Sequence, residues 1–274
     1  LLGFGKKRGG LARSAAADLY IELLKSSVGN TIYDDDVDLM RGSFTRDAAS
    51  GRLVATQGAA ADDSLKFLGH IWPSRAHTMI GVPRLDNLRS CVEKVLDDGV
   101  EGDFIETGVW RGGACILMRG ILKAYGVEDR LVWVADSFAG LPRGDPAKYP
   151  KESPGQFHDY ADLAVSLEQV QRNFARYNLL DGQVKFLKGW FRDTLPGAPL
   201  GKLALIRLDG DLYESTMDAL VALYPKLSSG GFAIIDDYDF VAACNEAVDD
   251  FRKERGIAEP IAKIEGGGAF WRKA

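Results

Sequence analysis

An α/β fold, a mostly parallel sheet flanked by helices with a helical cap at the N-terminus, is predicted by two features of the sequence. From residue 104 onward, short apolar runs alternate with helical periodicities. Phe104-Ile105, Leu131–Asp136, Val184–Leu187, Leu203–Leu208, Gly230–Asp237, Pro260–Ile264 and Ala269–Arg272 give seven strand segments. The second feature is Asp103–Gly113 (DFIETGVWRGG), a short apolar strand that ends in an acid and runs into a glycine turn. Glycines there let backbone amides at the next helix N-terminus approach a ligand closely. A chain of 274 residues holds one α/β domain plus a smaller appendage. We place the helical, substrate-covering cap at residues 1–75 and the ligand-binding domain at 76–274.

Composition narrows the function classes. Hydrophobic residues make up 46% and charged residues 27%, as in soluble globular proteins. No apolar run approaches the roughly 18 residues a membrane helix needs. The net charge of -5 offers no basic face for nucleic acid, so a small-molecule substrate is expected. Cys91, Cys115 and Cys244 have no metal-ligand spacing, which fits buried thiols in a reducing, cytoplasmic setting. The opening LLGFGKKRGG lacks an apolar core for a secretion signal and an initiator Met, and reads as an excised stretch of a longer chain.

In chain order, apolar residues from Leu11 to Lys25 recur at helical spacing, and Gly29-Asn30 stops that helix. Asp34, Asp35, Asp36 and Asp38 form an acidic cluster best read as a solvated loop and helix start. The weakly patterned, polar stretch Phe44–Leu68 is expected to contain helical stretches. Trp72–Gly81 (WPSRAHTMIG) precedes a helix from about Val82 to Asp98; His77 in it is expected to be structural. A helix over Ala114–Tyr125 joins the first two strands, and Asp136 ends the second about thirty residues on, as a β-α-β unit requires. Asp136 would reach a nucleoside's ribose hydroxyls, or else cap a helix. Gly140–Tyr160 is too long and Pro/Gly-rich for a simple connector and reads as a lid or binding loop. Leu163–Tyr177 is helical, and Gly189-Trp190 forms the turn after the third strand, with Trp190 either stacking on a base or buried in the core. LALIRL (Leu203–Leu208) suits a central strand buried on both faces. Helices follow over Ser215–Leu227 and Asn245–Glu254.

The glycine spacing here is G-x-x-x-G-G and not the dinucleotide G-x-G-x-x-G, and Glu106 just before it would repel an incoming phosphate. A ligand with a cationic end suits the turn better. S-adenosylmethionine has a sulfonium and an amino group and carries no phosphate.

Acids gather at the carboxyl ends of the strands: Glu106 and Asp136 from two, Asp209, Asp211, Asp236 and Asp237 from two others. Ligands of open α/β sheets bind at that edge. The second group would repel itself unless some members are protonated, basic partners intervene, or a hard divalent cation sits among them. The cation is the simplest account. Oxygen ligands without His or Cys point to Mg²⁺ or Mn²⁺.

The strings TMIGVPRLDNL, IETGVWRGGA, VWVADSFAGLP, VKFLKGWFRDTLP, LIRLDGDLYEST and IIDDY, in this order, closely resemble the macrocin O-methyltransferase family over roughly Asp18 to Arg272. The resemblance implies a class I methyltransferase (Rossmann-like) fold with a seven-stranded sheet and a Mg²⁺-dependent transfer from S-adenosylmethionine to a sugar hydroxyl. It implies Thr78, Met79, Glu106, Gly108, Asp136 and Ser137 as donor contacts, beside Gly189, Trp190 and Asp209. It implies Asp209, Asp236 and Asp237 as metal ligands and Asp211 as general base. The expected acceptor is a hydroxylated small molecule, a glycosylated natural product in particular. No nucleic acid or membrane partner is expected, and homo-oligomerisation is left open. The competing readings are a nicotinamide-dependent oxidoreductase on a similar sheet and a non-catalytic module of a larger synthase.

Overall fold

The computed structural model describes residues 13–33, 43–46, 53–56, 63–150 and 157–274. Helix α1 (Ala15–Val28) starts where the Ser14 hydroxyl accepts from the Ala17 amide at 3.1 Å and stops at Gly29. Asp18 in its first turn and Lys25 in its last suit the helix dipole. Its inner face, Ile21, Leu24 and Val28, joins the same apolar core as the helices of the main domain, so α1 is packed on that domain. The stretch expected to contain helices between residues 44 and 68 differs in part. Strands β1 (Ser43–Arg46) and β2 (Leu53–Thr56) pair antiparallel, and among the described residues of this stretch α2 (Asp63–Leu68) is the helical part. Phe44, Thr45, Val54 and Thr56 favour strand locally, a preference the polar composition concealed. The Asp34–Asp38 cluster lies outside the described residues.

From residue 81 the chain alternates helix and strand: α3 (Gly81–Asp97), β3 (Asp103–Thr107), α4 (Gly113–Ala124), β4 (Val132–Asp136), α5 (Leu167–Arg176), β5 (Val184–Lys188), α6 (Phe191–Thr194), β6 (Leu203–Leu208), α7 (Tyr213–Leu223), β7 (Leu227–Ile235), α8 (Ala242–Arg255), β8 (Ala262–Lys263) and β9 (Ala269–Arg272). Helix α6 was not anticipated. Helix α7 stops short of Leu227, with Pro225 in the 3-10 turn that follows it.

The seven strands lie in the order β5-β4-β3-β6-β7-β9-β8, parallel from β5 to β7, with β9 antiparallel to both neighbours. Side chains alternate between two cores. Phe104, Val134 and Leu205 face the layer of α1, α3, α4 and α5, whereas Ile105, Ile206 and Ala233 face that of α7 and α8. Strand order reverses between β3 and β6, the switch point where open α/β sheets leave a crevice. No helix among the described residues is long and apolar enough to cross a membrane.

Candidate active site

A cleft of about 1290 Å³, open mouth included, lies over the carboxyl ends of β3, β4, β6 and β7. Its floor is the glycine turn after β3. Gly108 has φ +78, and a Cβ on it would fall 1.7 Å from the main-chain oxygen of Asp209, so only glycine passes here. A Cβ on Gly113 would meet the main-chain oxygen of His77 at 2.6 Å; the Gly113 amide instead donates to that oxygen at 2.8 Å. This contact brings Thr78 and Met79 to the cleft wall.

Asp136, at the end of β4, braces the turn. One carboxylate oxygen accepts from the Val109 amide and the other from the Phe138 amide, both at 2.7 Å. Burial pushes its pKa up, and those amides oppose the rise. Ser137 also lines the cleft, but its hydroxyl holds the following turn, donating to the Gly140 carbonyl at 2.6 Å and accepting from the Ala139 amide at 2.9 Å. Trp190 is half-buried on the cleft wall and not part of either core. Gly189 does not line the cleft. It makes the turn behind Trp190, its amide donating to the Asp136 carbonyl at 2.9 Å.

The acids separate into two groups. Carboxylate oxygens of Asp209, Asp211 and Asp237 lie within 4.8 Å of one another. Asp236, predicted to complete the cation site with Asp209 and Asp237, has both oxygens on arginines: Arg84 Nη1 donates to Oδ2 at 2.5 Å, and Arg207 Nη2 donates to Oδ1. Each oxygen keeps a further lone pair. Asp236 therefore lines the same cleft beside the convergent three as an ion-paired neighbour. Glu106 is buried at 2% exposure, ion-paired to Arg207 and accepting from the Cys115 thiol at 2.8 Å. Basic partners, one of the alternatives the sequence left open beside the cation, thus offset part of the acids' charge. Among the described residues, the arginine contacts go to Glu106, Asp209 and Asp236, not to Asp211 or Asp237.

That imbalance fits a divalent cation. Burial, then repulsion from Asp236, pushes Asp211 up to about 7. Burial, then Asp211 and Asp209, pushes Asp237 well above the carboxylate range. Asp211 sits at φ +56 on the loop after β6, and its amide donates to Asp237 Oδ2 at 3.1 Å. The loops after β6 and β7 are thereby tied together, and an all-oxygen donor set of this kind suits Mg²⁺ or Mn²⁺.

Neither His77 nor His158 lines the cleft. His77 Nδ1 is 2.8 Å from the Tyr177 hydroxyl, and burial followed by Arg176 and Arg111 lowers its pKa to about 4. It is structural. His158 Nε2 lies 3.1 Å from an Asp159 carboxylate oxygen. The loop from Gly140 borders the site through Leu141, Pro142 and Phe157, and Tyr149 stacks on Tyr213 at 4.4 Å; residues 151–156 of that loop lie outside the described residues. Sequence reasoning did not single out Arg84 or Arg207. The available signal was Arg207's position as the one charged residue in the apolar run LALIRL.

The macrocin-O-methyltransferase (TylF) family profile matches residues 17–273. A tetracenomycin-class enzyme of Streptomyces olivaceus, 8-demethyl-8-(2,3-dimethoxy-alpha-L-rhamnosyl)-tetracenomycin-C 4'-O-methyltransferase, is 54% identical over 258 residues, covering 94% of this chain and 93% of that one. Mycinamicin III 3''-O-methyltransferase of Micromonospora griseorubida is 49% identical over 267 residues, covering 96% and 100%. The solved structure of the O-methyltransferase NovP matches with a TM-score of 0.84 at 46% identity, covering 94% of this chain and 99% of that chain.

Proposed function

The chain belongs to the macrocin-O-methyltransferase family, and on that premise we propose that it transfers the methyl group of S-adenosylmethionine to a sugar hydroxyl of a glycosylated natural product, with Mg²⁺ at the Asp209–Asp237 cluster. It is an O-methyltransferase, and its sheet is the class I methyltransferase fold. Family membership sets aside the oxidoreductase and non-catalytic readings. The observation that carries the finer proposal is the convergence of Asp209, Asp211 and Asp237 past the ends of β6 and β7, beside the strands β3 and β4 that carry the Gly108 turn and Asp136. Sugar hydroxyls enter because the tetracenomycin and mycinamicin relatives are named for transfer to defined hydroxyl positions, the former on a rhamnosyl compound.

The donor would lie over β3 and β4, its ribose hydroxyls donating to Asp136 and its adenine against Trp190. Thr78 and Met79 would close its other side, and Glu106 would lend negative charge toward its cationic end. Asp209 and Asp237 would hold the cation, with Asp236 offering the lone pairs its arginine partners leave free. A bound cation makes a coordinated hydroxyl more acidic. Asp211 would act as general base, taking the hydroxyl proton as the acceptor oxygen attacks the methyl carbon and the donor's carbon–sulfur bond gives way. The Pro142–Tyr160 loop and residues 1–75 would recognise the acceptor.

The test is methyl transfer from isotopically labelled S-adenosylmethionine to demethylated deoxysugar glycosides, after exhaustive chelation and with Mg²⁺ restored. Transfer should require the added cation, whereas donor binding should largely survive chelation. Full transfer in the chelated protein would overturn the cation assignment, and NAD binding in place of the donor would overturn the donor assignment.

A further inference from the structure

Arg207 is 1% exposed in the centre of the sheet, an expensive place for a charge unless several partners compensate it. Register supplies them. Arg207 on β6 lies directly opposite Glu106 on β3 and Ile234 on β7, so Asp236, two residues past Ile234, faces the same side of the sheet. The guanidinium uses all of this. Nη1 donates to Glu106 and, at 2.9 Å, to Asp209 Oδ2, while Nη2 donates to Asp236 Oδ1. The other oxygen of Asp236 is taken by Arg84, itself fixed by the carbonyls of Ile80 at 2.6 Å and Gly69 at 3.0 Å and set over the Phe240 ring at 4.7 Å.

We propose that Arg207 is the positioning residue of the cation site, fixing the orientation of Asp209 and Asp236 so that their remaining lone pairs face the Asp211–Asp237 side. The proposal rests on the reading that a divalent cation binds at Asp209 and Asp237. Two roles for Arg207 predict different outcomes. As a bare positive charge it repels a cation, and a lysine in its place does the same. As a planar fork it holds several carboxylates at fixed angles, which the single ammonium of lysine cannot do.

The experiment is calorimetric titration of the full chain with Mn²⁺, comparing wild type, Arg207→Lys and Asp209→Asn, with thermal melts of the ion-free proteins. Arg207→Lys should weaken Mn²⁺ binding by roughly tenfold or more, the range for residues that orient metal ligands. Excess Mn²⁺ should then restore most of its turnover, a recovery that general structural damage would not allow. If Arg207→Lys fails to fold because Glu106 loses its partner, the comparison moves to Glu106→Gln against Glu106→Gln/Arg207→Lys, where that buried charge is absent. Equal Mn²⁺ affinity within either comparison overturns the positioning role. A wild type that binds no Mn²⁺, or an Asp209→Asn variant that binds it as well as wild type, overturns the underlying cation reading and the proposal with it.

Discussion

Gly108 and Asp209 stand back to back: a side chain on the first would collide with the main-chain oxygen of the second at 1.7 Å, and the Asp209 amide donates to the Thr107 carbonyl at 2.9 Å. The turn assigned to the donor and the loop assigned to the cation therefore share one backbone contact. Gly108→Ala should combine left-handed strain of about 1–3 kcal/mol with overpacking of about 1–3 kcal/mol, and should impair donor and cation binding together. Gly126→Ala is the control, since Gly126 has φ +64 but nothing within 4 Å of a Cβ. Denaturant melts and titrations of both variants check this; a Gly108→Ala protein no less stable than Gly126→Ala would refute the contact's importance.

Beside the ribose contact proposed for it, Asp136 accepts from the Val109 and Phe138 amides. Asp136→Ala should weaken donor binding by about 1–3 kcal/mol for the lost charged acceptor. It should also reduce protection of those two amides in hydrogen exchange. Donor affinity equal to wild type would remove Asp136 from the donor site.

For Asp211, substitution by Asn keeps the size of the side chain and removes its basicity. Single-turnover transfer under saturating donor, acceptor and Mg²⁺ should slow on the order of 10²–10⁴-fold, with donor affinity nearly unchanged. A loss below roughly tenfold would return Asp211 to a structural role.

His77 makes a pH prediction. Its folded pKa lies at about 4, below the ordinary 6.5, because burial and then Arg176 and Arg111 disfavour the charged form. Between those values the unfolded chain binds more protons, so stability rises with pH through that window and is lost as pH falls from 6.5 through about 4. Relative to His77→Gln, wild type should lose stability over that interval and hold a constant difference below it, as read from urea midpoints. Parallel profiles across the interval would contradict the buried neutral imidazole.

By itself the sequence determined the alternation of helices and strands after residue 103, because apolar runs and glycine turns are local signals that a parallel sheet cannot do without. The Asp136 and Gly108 positions were legible for the same reason: each sits at a strand end, where sequence marks the edge of the sheet. The β1–β2 pairing was not legible, since four-residue strands are too short to show a periodicity. What only the tertiary structure decided is which acids share an oxygen cluster and which are paired. Asp236 and Asp237 are adjacent in sequence, yet the turn that follows β7 sends one toward Arg84 and Arg207 and leaves the other with Asp209 and Asp211. Arg207 meets Glu106 only through the register of β6 against β3, a relation between residues 101 positions apart that no local pattern encodes.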